Sequence, residues 1–179
     1  MKKATSIFLC TEICRADVVR MIAWMKNANV TQYLNEAPDA VQSLETLLLS
    51  VPEPMYQYHL SREGHFYLVC HPEQGQVGFV KLLPNAEHQA YEIVYVIGEE
   101  TLWGHGFGEQ AVRAALSKAF LQLRAERVIA KVMPQNLRSV RCVRACGFQQ
   151  TAQTNRLTRF EITFAAYCRH LRENSSQRA

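Results

Sequence analysis

The chain has 179 residues, 48% hydrophobic and 20% charged, with a formal net charge of +4. That length fits one domain, 1–179, since a domain of roughly 150 residues hides about 68–70% of its unfolded surface, and the composition excludes a disordered chain. The positive excess is small, scattered and partly in the basic tail 169–178, so it gives no footprint for nucleic acid.

Six cysteines, at positions 10, 14, 70, 142, 146 and 168, form no Cys-x-x-Cys pair and no Cys/His set with zinc-like spacing. Residues 1–12 lack a sustained apolar stretch and soon turn charged, so no signal peptide is expected. No run of about 20 apolar residues could span a bilayer. The expectation is a cytoplasmic protein with reduced, packed cysteines, no metal and no membrane partner.

In chain order, Lys3 to Cys10 reads as a first strand. From Cys14, the residues Val18, Met21, Ile22 and Met25 fall at i, i+3, i+4 and i+7, which predicts an amphipathic helix to about Lys26. Asn27 to Asn29 ends it, and Val30 to Leu34 forms a short connection carrying Tyr33. A second helix starts after Asp39, an N-cap behind Pro38, with Val41, Leu44, Leu47 and Leu48 as its buried face, and stops at Val51-Pro-Glu-Pro54.

The character then changes to sheet. Phe66–Cys70, Val77–Leu82 and Tyr91–Ile97 are rich in β-branched and aromatic residues, and His71–Gly75 and Pro84–Glu87 supply turn chemistry between them. Such short connections predict an antiparallel meander, extended by Met55–Leu60 or by the first strand. In the last of the three, alternation puts Ile93, Tyr95 and Ile97 on one face and Glu92, Val94 and Val96 on the other.

Three alternating glycines follow, Gly104, Gly106 and Gly108, directly before a wide apolar stripe from Ala111 to Leu123 that predicts a helix of about four turns. Strand, glycine turn and helix make an anion site: glycine admits positive φ and close approach, and the first helical N–H groups have no internal partner. A tight turn with no ligand is the plain alternative for the glycines alone. Counting from Gly104, the sixth position is Glu109, so the dinucleotide pattern fails, and no P-loop occurs. Arg127 to Val132 reads as a strand inside a sheet, Pro134 to Asn136 as a turn, and Ser139 to Cys146 as a short helix capped by Gly147. Phe148 opens a further strand, Arg159 to Tyr167 is the final one, and the tail from Glu173 is expected to fray.

The segments Tyr91-Glu-Ile-Val-Tyr-Val-Ile97, Leu102-Trp-Gly-His-Gly-Phe-Gly-Glu-Gln-Ala111 and Asn136-Leu-Arg-Ser-Val-Arg-Cys-Val-Arg-Ala-Cys-Gly-Phe148 together resemble the GCN5-related N-acetyltransferase (GNAT) superfamily. They are most similar to its branch of ribosomal-protein N-terminal and diamine acetyltransferases. Asp17 to Met25 and Val30 to Leu34 are similar to that branch's first helix and adjoining loop. The resemblance implies an α+β fold: a mostly antiparallel, twisted sheet of about seven strands, splayed at the cofactor site and flanked by about four helices. It implies acetyl-CoA as cosubstrate and a small-molecule or peptide amine as acceptor, in a monomer or homodimer.

The resemblance places the cofactor loop on Trp103, Gly104, His105, Gly106, Phe107, Gly108 and Glu109, where Trp103 replaces the family's usual polar residue. Tyr95, Val96 and Ile97 correspond to the strand edge that meets the pantetheine amides, with an oxyanion donor near Val96 or Ile97, and Asn136 to the residue on the other side of the splay. Arg141 and Arg144 reach phosphate or are solvated. Tyr33 and Leu34 are substrate-pocket candidates, and Trp24 is one or packs in the core.

Acyl transfer needs an amine freed of its proton, a stabilised oxyanion and a protonated leaving thiolate. Glu92, a carboxylate inside an apolar strand, is the candidate base or amine anchor, and a surface glutamate is the alternative. Many relatives carry a tyrosine acid where Val143 stands and some a glutamate base where Lys131 stands, so neither role carries over. Ser139 remains as the candidate acid, or simply as a helix-start residue. Cys142 and Cys146 pack or line the site, because the transfer needs no acyl-enzyme. His105 faces solvent or the adenosine phosphates. The missing tyrosine motivates a second reading, a non-catalytic acyl-CoA-binding or sensory domain.

Overall fold

Short turns between runs of β-branched and aromatic residues build three long strands: β2 (His65–His71), β3 (Gly75–Pro84) and β4 (Ala90–Ile97). With β1 (Phe8–Cys10), β5 (Arg127–Val132), β6 (Gln149–Gln153) and β7 (Thr158–Thr163), they form one seven-stranded sheet of order β1-β2-β3-β4-β5-β7-β6. The computed structural model describes residues 6–34, 39–87 and 89–176. All neighbouring strands are antiparallel except β4 and β5.

Period-2 alternation gives the sheet two apolar faces. On one, α1 (Arg15–Lys26), α3 (Ala40–Ser50) and α4 (Tyr56–Leu60) pack Val18, Met21, Trp24, Leu47 and Tyr56 against Phe66, Leu68, Phe79 and Val96; the short α2 (Ala28–Thr31) follows α1. On the other, α5 (Phe107–Ser117), α6 (Leu137–Ala145) and α7 (Phe164–Ser176) cover Val80, Leu82, Ile93, Val128, Ala130 and Phe160. After α5 the chain makes one wider helical turn, Lys118–Gln122, closed by Leu123 N–H to Lys118 O at 3.0 Å.

Four segments differ from the sequence reading. Met55–Leu60 is not a strand: Glu53–Met55 is a 3₁₀ turn leading into α4, whose Tyr56 and Leu60, four apart, share one helical face on the core, while β1 takes the sheet edge. Val30 and Thr31 belong to a helical turn rather than to a plain connection, because the Asn27 side chain caps it by accepting from Asn29 N–H at 2.9 Å. The final strand ends at Thr163, whose hydroxyl accepts from Ala166 N–H at 3.3 Å and starts α7 where strand was expected to run to Tyr167. That helix extends through Ser176. In α3 only Leu47 is buried, with Val41, Leu44 and Leu48 half-buried. Pro38 and residues 3–5 of the expected first strand lie outside the described residues.

Candidate active site

Pairing between β4 and β5 runs only from Ala90 opposite Arg127 to Glu92 opposite Ile129; from Ile93 to Ile97, β4 continues without β5 beside it. Glu92 therefore marks the fork. Gly98 N–H donates to Val77 O on β3 at 3.0 Å, so alternation turns the main-chain groups of Val96 to β3 and those of Tyr95 and Ile97 to the open edge. The Ile97 carbonyl on that edge accepts the Trp103 indole N–H at 2.7 Å, which leaves its N–H as the available group. Of the two amides named for an oxyanion, Ile97's faces the gap and Val96's does not.

The glycine loop follows. Gly104 and Gly106 adopt φ of +80° and +81°, a region that L side chains avoid, and a Cβ at either would meet nothing within 4 Å. Both are glycine for conformation rather than for space. Gly106 is the N-cap of α5 and makes no side-chain cap, and Gln110 N–H is the first to find the Gly106 carbonyl. The N–H groups of Phe107, Gly108 and Glu109 thus stand at the positive end of the helix with no intrahelical acceptor. Glu109 does not oppose an anion there, because Arg113 holds its carboxylate at 2.8 Å. Trp24 donates to Glu99 at 3.0 Å, and Asn27 and Asn29 donate to Glu100, so α1 and α2 anchor the loop's entrance.

The opposite wall is α6. The Asn136 carboxamide oxygen accepts from Ser139 N–H at 3.2 Å as the N-cap, which leaves its NH₂ to donate and frees the Ser139 hydroxyl from any capping duty. Ser139 Oγ instead lies 2.8 Å from the Tyr95 hydroxyl across the fork. Burial pushes the Tyr95 phenol well above its usual pKa near 10, with Cys142 adding to the rise and Ser139 opposing it. Pairing with Cys146 lowers the Cys142 thiol, against burial and with a smaller lowering from the neighbouring Tyr95, while the same pairing with Cys142 raises Cys146. Val143 is fully buried among core residues and presents no polar atom. Gly147 closes α6 at φ +92°, as the sequence requires, with Phe148 N–H bonded to Val143 O at 3.1 Å.

These parts enclose a cleft of about 440 Å³, within the usual range for a small-ligand site. A sequence profile described as an acetyltransferase (GNAT) domain matches residues 9–149. The chain belongs to the GNAT acetyltransferase family. A curated relative from Bacillus licheniformis, described as an uncharacterized N-acetyltransferase p20, is 26% identical over 147 residues, covering 78% of this chain and 76% of the relative. Among solved structures, a spermidine N-acetyltransferase from Vibrio cholerae in complex with CoA and spermine superposes with a TM-score of 0.73 at 21% identity, covering 91% of this chain and 98% of that one. The aminoglycoside acetyltransferase AAC(6')-Ib in complex with coenzyme A gives 0.70 at 15%, over 92% and 98%. At these identities the structural likeness shows the fold.

GNAT enzymes take the acetyl group from acetyl-CoA, and the residues here fit such a donor. Free amides at Phe107 to Glu109 suit the pyrophosphate, the open β4 edge at Tyr95 and Ile97 suits the pantetheine amides, and Asn136, at the start of α6, lines the same cleft. The cleft gathers Tyr33, Leu34, Tyr95, Val96, Ile97, Trp103, Gly104, Gly106, Phe107, Gly108, Glu109, Asn136 and Ser139. Two sequence candidates stand apart from its lining. His105 is exposed, and its ring Nδ1 lies 3.1 Å from Trp103 O. Glu92 sits at the apex of the fork, paired with Lys131 at 2.6 Å and with its side chain 20% exposed. Trp24 is core, 4% exposed under the loop.

The lining also includes two basic residues, Arg138 and Arg141, one helical turn apart on α6. Arg138, which sequence reasoning passed over, lays its guanidinium 3.7 Å from the Trp103 ring centroid. The i, i+3 spacing from Arg138 to Arg141 was the available signal. Arg144 turns away, to Gln150 and the Phe160 ring.

The Tyr95 environment predicts an alkaline sensitivity. An unfolded tyrosine ionises near pH 10 while the folded phenol keeps its proton to higher pH, so the folded state binds more protons above pH 10 and stability falls as pH rises there. Denaturant melts from pH 8 to 11 check this: Tyr95→Phe is expected to lose less stability above pH 10 than the unaltered protein.

Proposed function

We propose that the chain is an acetyl-CoA dependent N-acetyltransferase that acylates a primary amine, either a small amine or a peptide N-terminus, by direct attack and without an acyl-enzyme. The observation that carries this reading is the fork: a strand edge and a helix N-terminus meet in one cleft with a hydroxyl on its far wall, and Glu92 stands outside the lining where β4 and β5 part. Bound acetyl-CoA supplies an activated thioester. Glu92 anchors the incoming ammonium or accepts its proton, directly or through water. The Ile97 N–H faces the charge that develops on the thioester oxygen. Ser139 hands a proton to the departing sulfur.

Tyr33 and Leu34, after α2, line the cleft, and in this reading they meet the acceptor. The enzymes with similar folds are a spermidine and an aminoglycoside acetyltransferase, which supports a small cationic amine ahead of a peptide. Cytoplasmic location, a monomer or homodimer, and independence of metal, membrane and nucleic acid complete the reading. No helix among the described residues is long and apolar enough to cross a membrane.

Incubation with acetyl-CoA and a panel of spermidine, an aminoglycoside and a peptide with a free N-terminus tests this. CoA release matched by acetylated amine in at least one case is the expected result. Acetyl-CoA that raises the melting temperature with no turnover on any acceptor would favour the non-catalytic reading that Val143 motivates. Saturation at 100 times Kd stabilises a protein by about 2.7 kcal/mol, so binding will be visible.

A further inference from the structure

Three side-chain hydroxyls line the cleft, those of Tyr33, Tyr95 and Ser139, and only the last two touch each other. Tyr95 comes from β4 and Ser139 from the first turn of α6, so their contact at 2.8 Å bridges the two walls of the fork. Gly108 packs beside it: a Cβ there would lie 3.5 Å from the Tyr95 ring and 3.8 Å from Cys142 Sγ, ordinary contact distances. Asn136 supplies the cap of α6, and among the described residues the Ser139 hydroxyl bonds to Tyr95.

We propose that Tyr95 is a positioning residue for proton delivery, its phenol donating to Ser139 Oγ so that the serine's own proton is aimed into the cleft at the departing thiolate. This rests on the N-acetyltransferase reading and on Ser139 as the proton donor. Either oxygen can donate in this contact; with the phenol as donor, a phenol being intrinsically more acidic than an aliphatic hydroxyl, the serine oxygen accepts. A serine hydroxyl alone is a poor acid; a fixed donor on its oxygen stabilises the negative charge that grows as its proton leaves.

The step balances. A C–N bond forms between the amine and the acetyl carbon, the C–S bond breaks with its electron pair going to sulfur, and sulfur takes the Ser139 proton. The proton shed by nitrogen as it becomes an amide restores the hydroxyl, so amine and thioester yield amide and thiol. With Val143 buried and apolar, this pair from strand and helix supplies the hydroxyl that the helix alone lacks at that position.

Tyr95→Phe removes one oxygen and keeps the ring. In steady-state kinetics with an accepted amine, kcat is expected to fall roughly 10- to 100-fold, within the range for acid–base groups, with KM and calorimetric affinity for acetyl-CoA unchanged. Ser139→Ala should fall at least as far, and the double variant no further than Ser139→Ala, because the two hydroxyls act as one unit. The solvent deuterium isotope effect on kcat should differ between Tyr95→Phe and the unaltered enzyme. Full kcat in Tyr95→Phe beside an impaired Ser139→Ala overturns the positioning role and spares Ser139. Full kcat in Ser139→Ala overturns Ser139 as donor, and the inference with it. Loss of acetyl-CoA affinity in Tyr95→Phe to the same extent as kcat, or additive effects in the double variant, reduces Tyr95 to packing. Failure of acetyl transfer in the unaltered protein is a separate result, which falls on the proposed function. Should Tyr95→Phe fail to fold, Ser139→Ala and Ser139→Thr carry the test through the isotope effect, which is expected to be lost in the first and retained in the second.

Discussion

A Gly106→Val variant binds acetyl-CoA at least about 100-fold more weakly by calorimetry, a loss of about 2.8 kcal/mol, while its fold survives. Gly106 holds φ at +81°, and an added side chain meets no atom within 4 Å. The penalty is therefore in the backbone, roughly 1–2 kcal/mol for any L residue and more for a β-branched one. The loop is half-exposed and can relieve that strain by unwinding the first turn of α5, which rotates the Phe107, Gly108 and Glu109 amides out of the cleft. The core beneath does not depend on it: Ala111, Val112, Ala115 and Leu116 stay packed on the sheet. Normal affinity in this variant would remove the loop from the site.

Glu92→Gln separates chemistry from binding. Turnover is expected to fall roughly 10²- to 10⁴-fold, the range for a positioned acid or base, with acetyl-CoA affinity unchanged because Glu92 stands outside the cofactor wall. Stability should barely move. The ion pair with Lys131, with side chains 20% and 37% exposed, is worth on the order of 1 kcal/mol or less once solvent screening is counted. Unchanged turnover would reject Glu92 as base and anchor alike.

Both variants touch features written plainly in the chain. The glycine alternation at 104, 106 and 108, the apolar stripe after it, and the Asn136 to Phe148 segment are local signals, and each produced the expected loop, helix and cap. Elements set by tertiary context were harder to read. Met55 to Leu60 suits strand or helix by composition, and only the occupied sheet edge beside β2 decides for helix. Tyr167 reads as the end of a strand until Thr163 is seen to cap α7. The Glu92–Lys131 pair and the Tyr95–Ser139 contact join residues far apart in the chain, so no spacing rule announces them. The same holds for the alternation that turns Val96 toward β3 and Ile97 toward the gap. It depends on which neighbour β4 has lost, a fact of topology and not of sequence pattern.

Amide hydrogen exchange with and without acetyl-CoA tests most directly whether the fork holds the donor. Slowed exchange concentrated at Phe107, Gly108 and Glu109, and at Tyr95 and Ile97 on the open edge, is the predicted result. Binding that leaves these amides exchanging at their free rates while protecting another surface would contradict the assignment of the cleft.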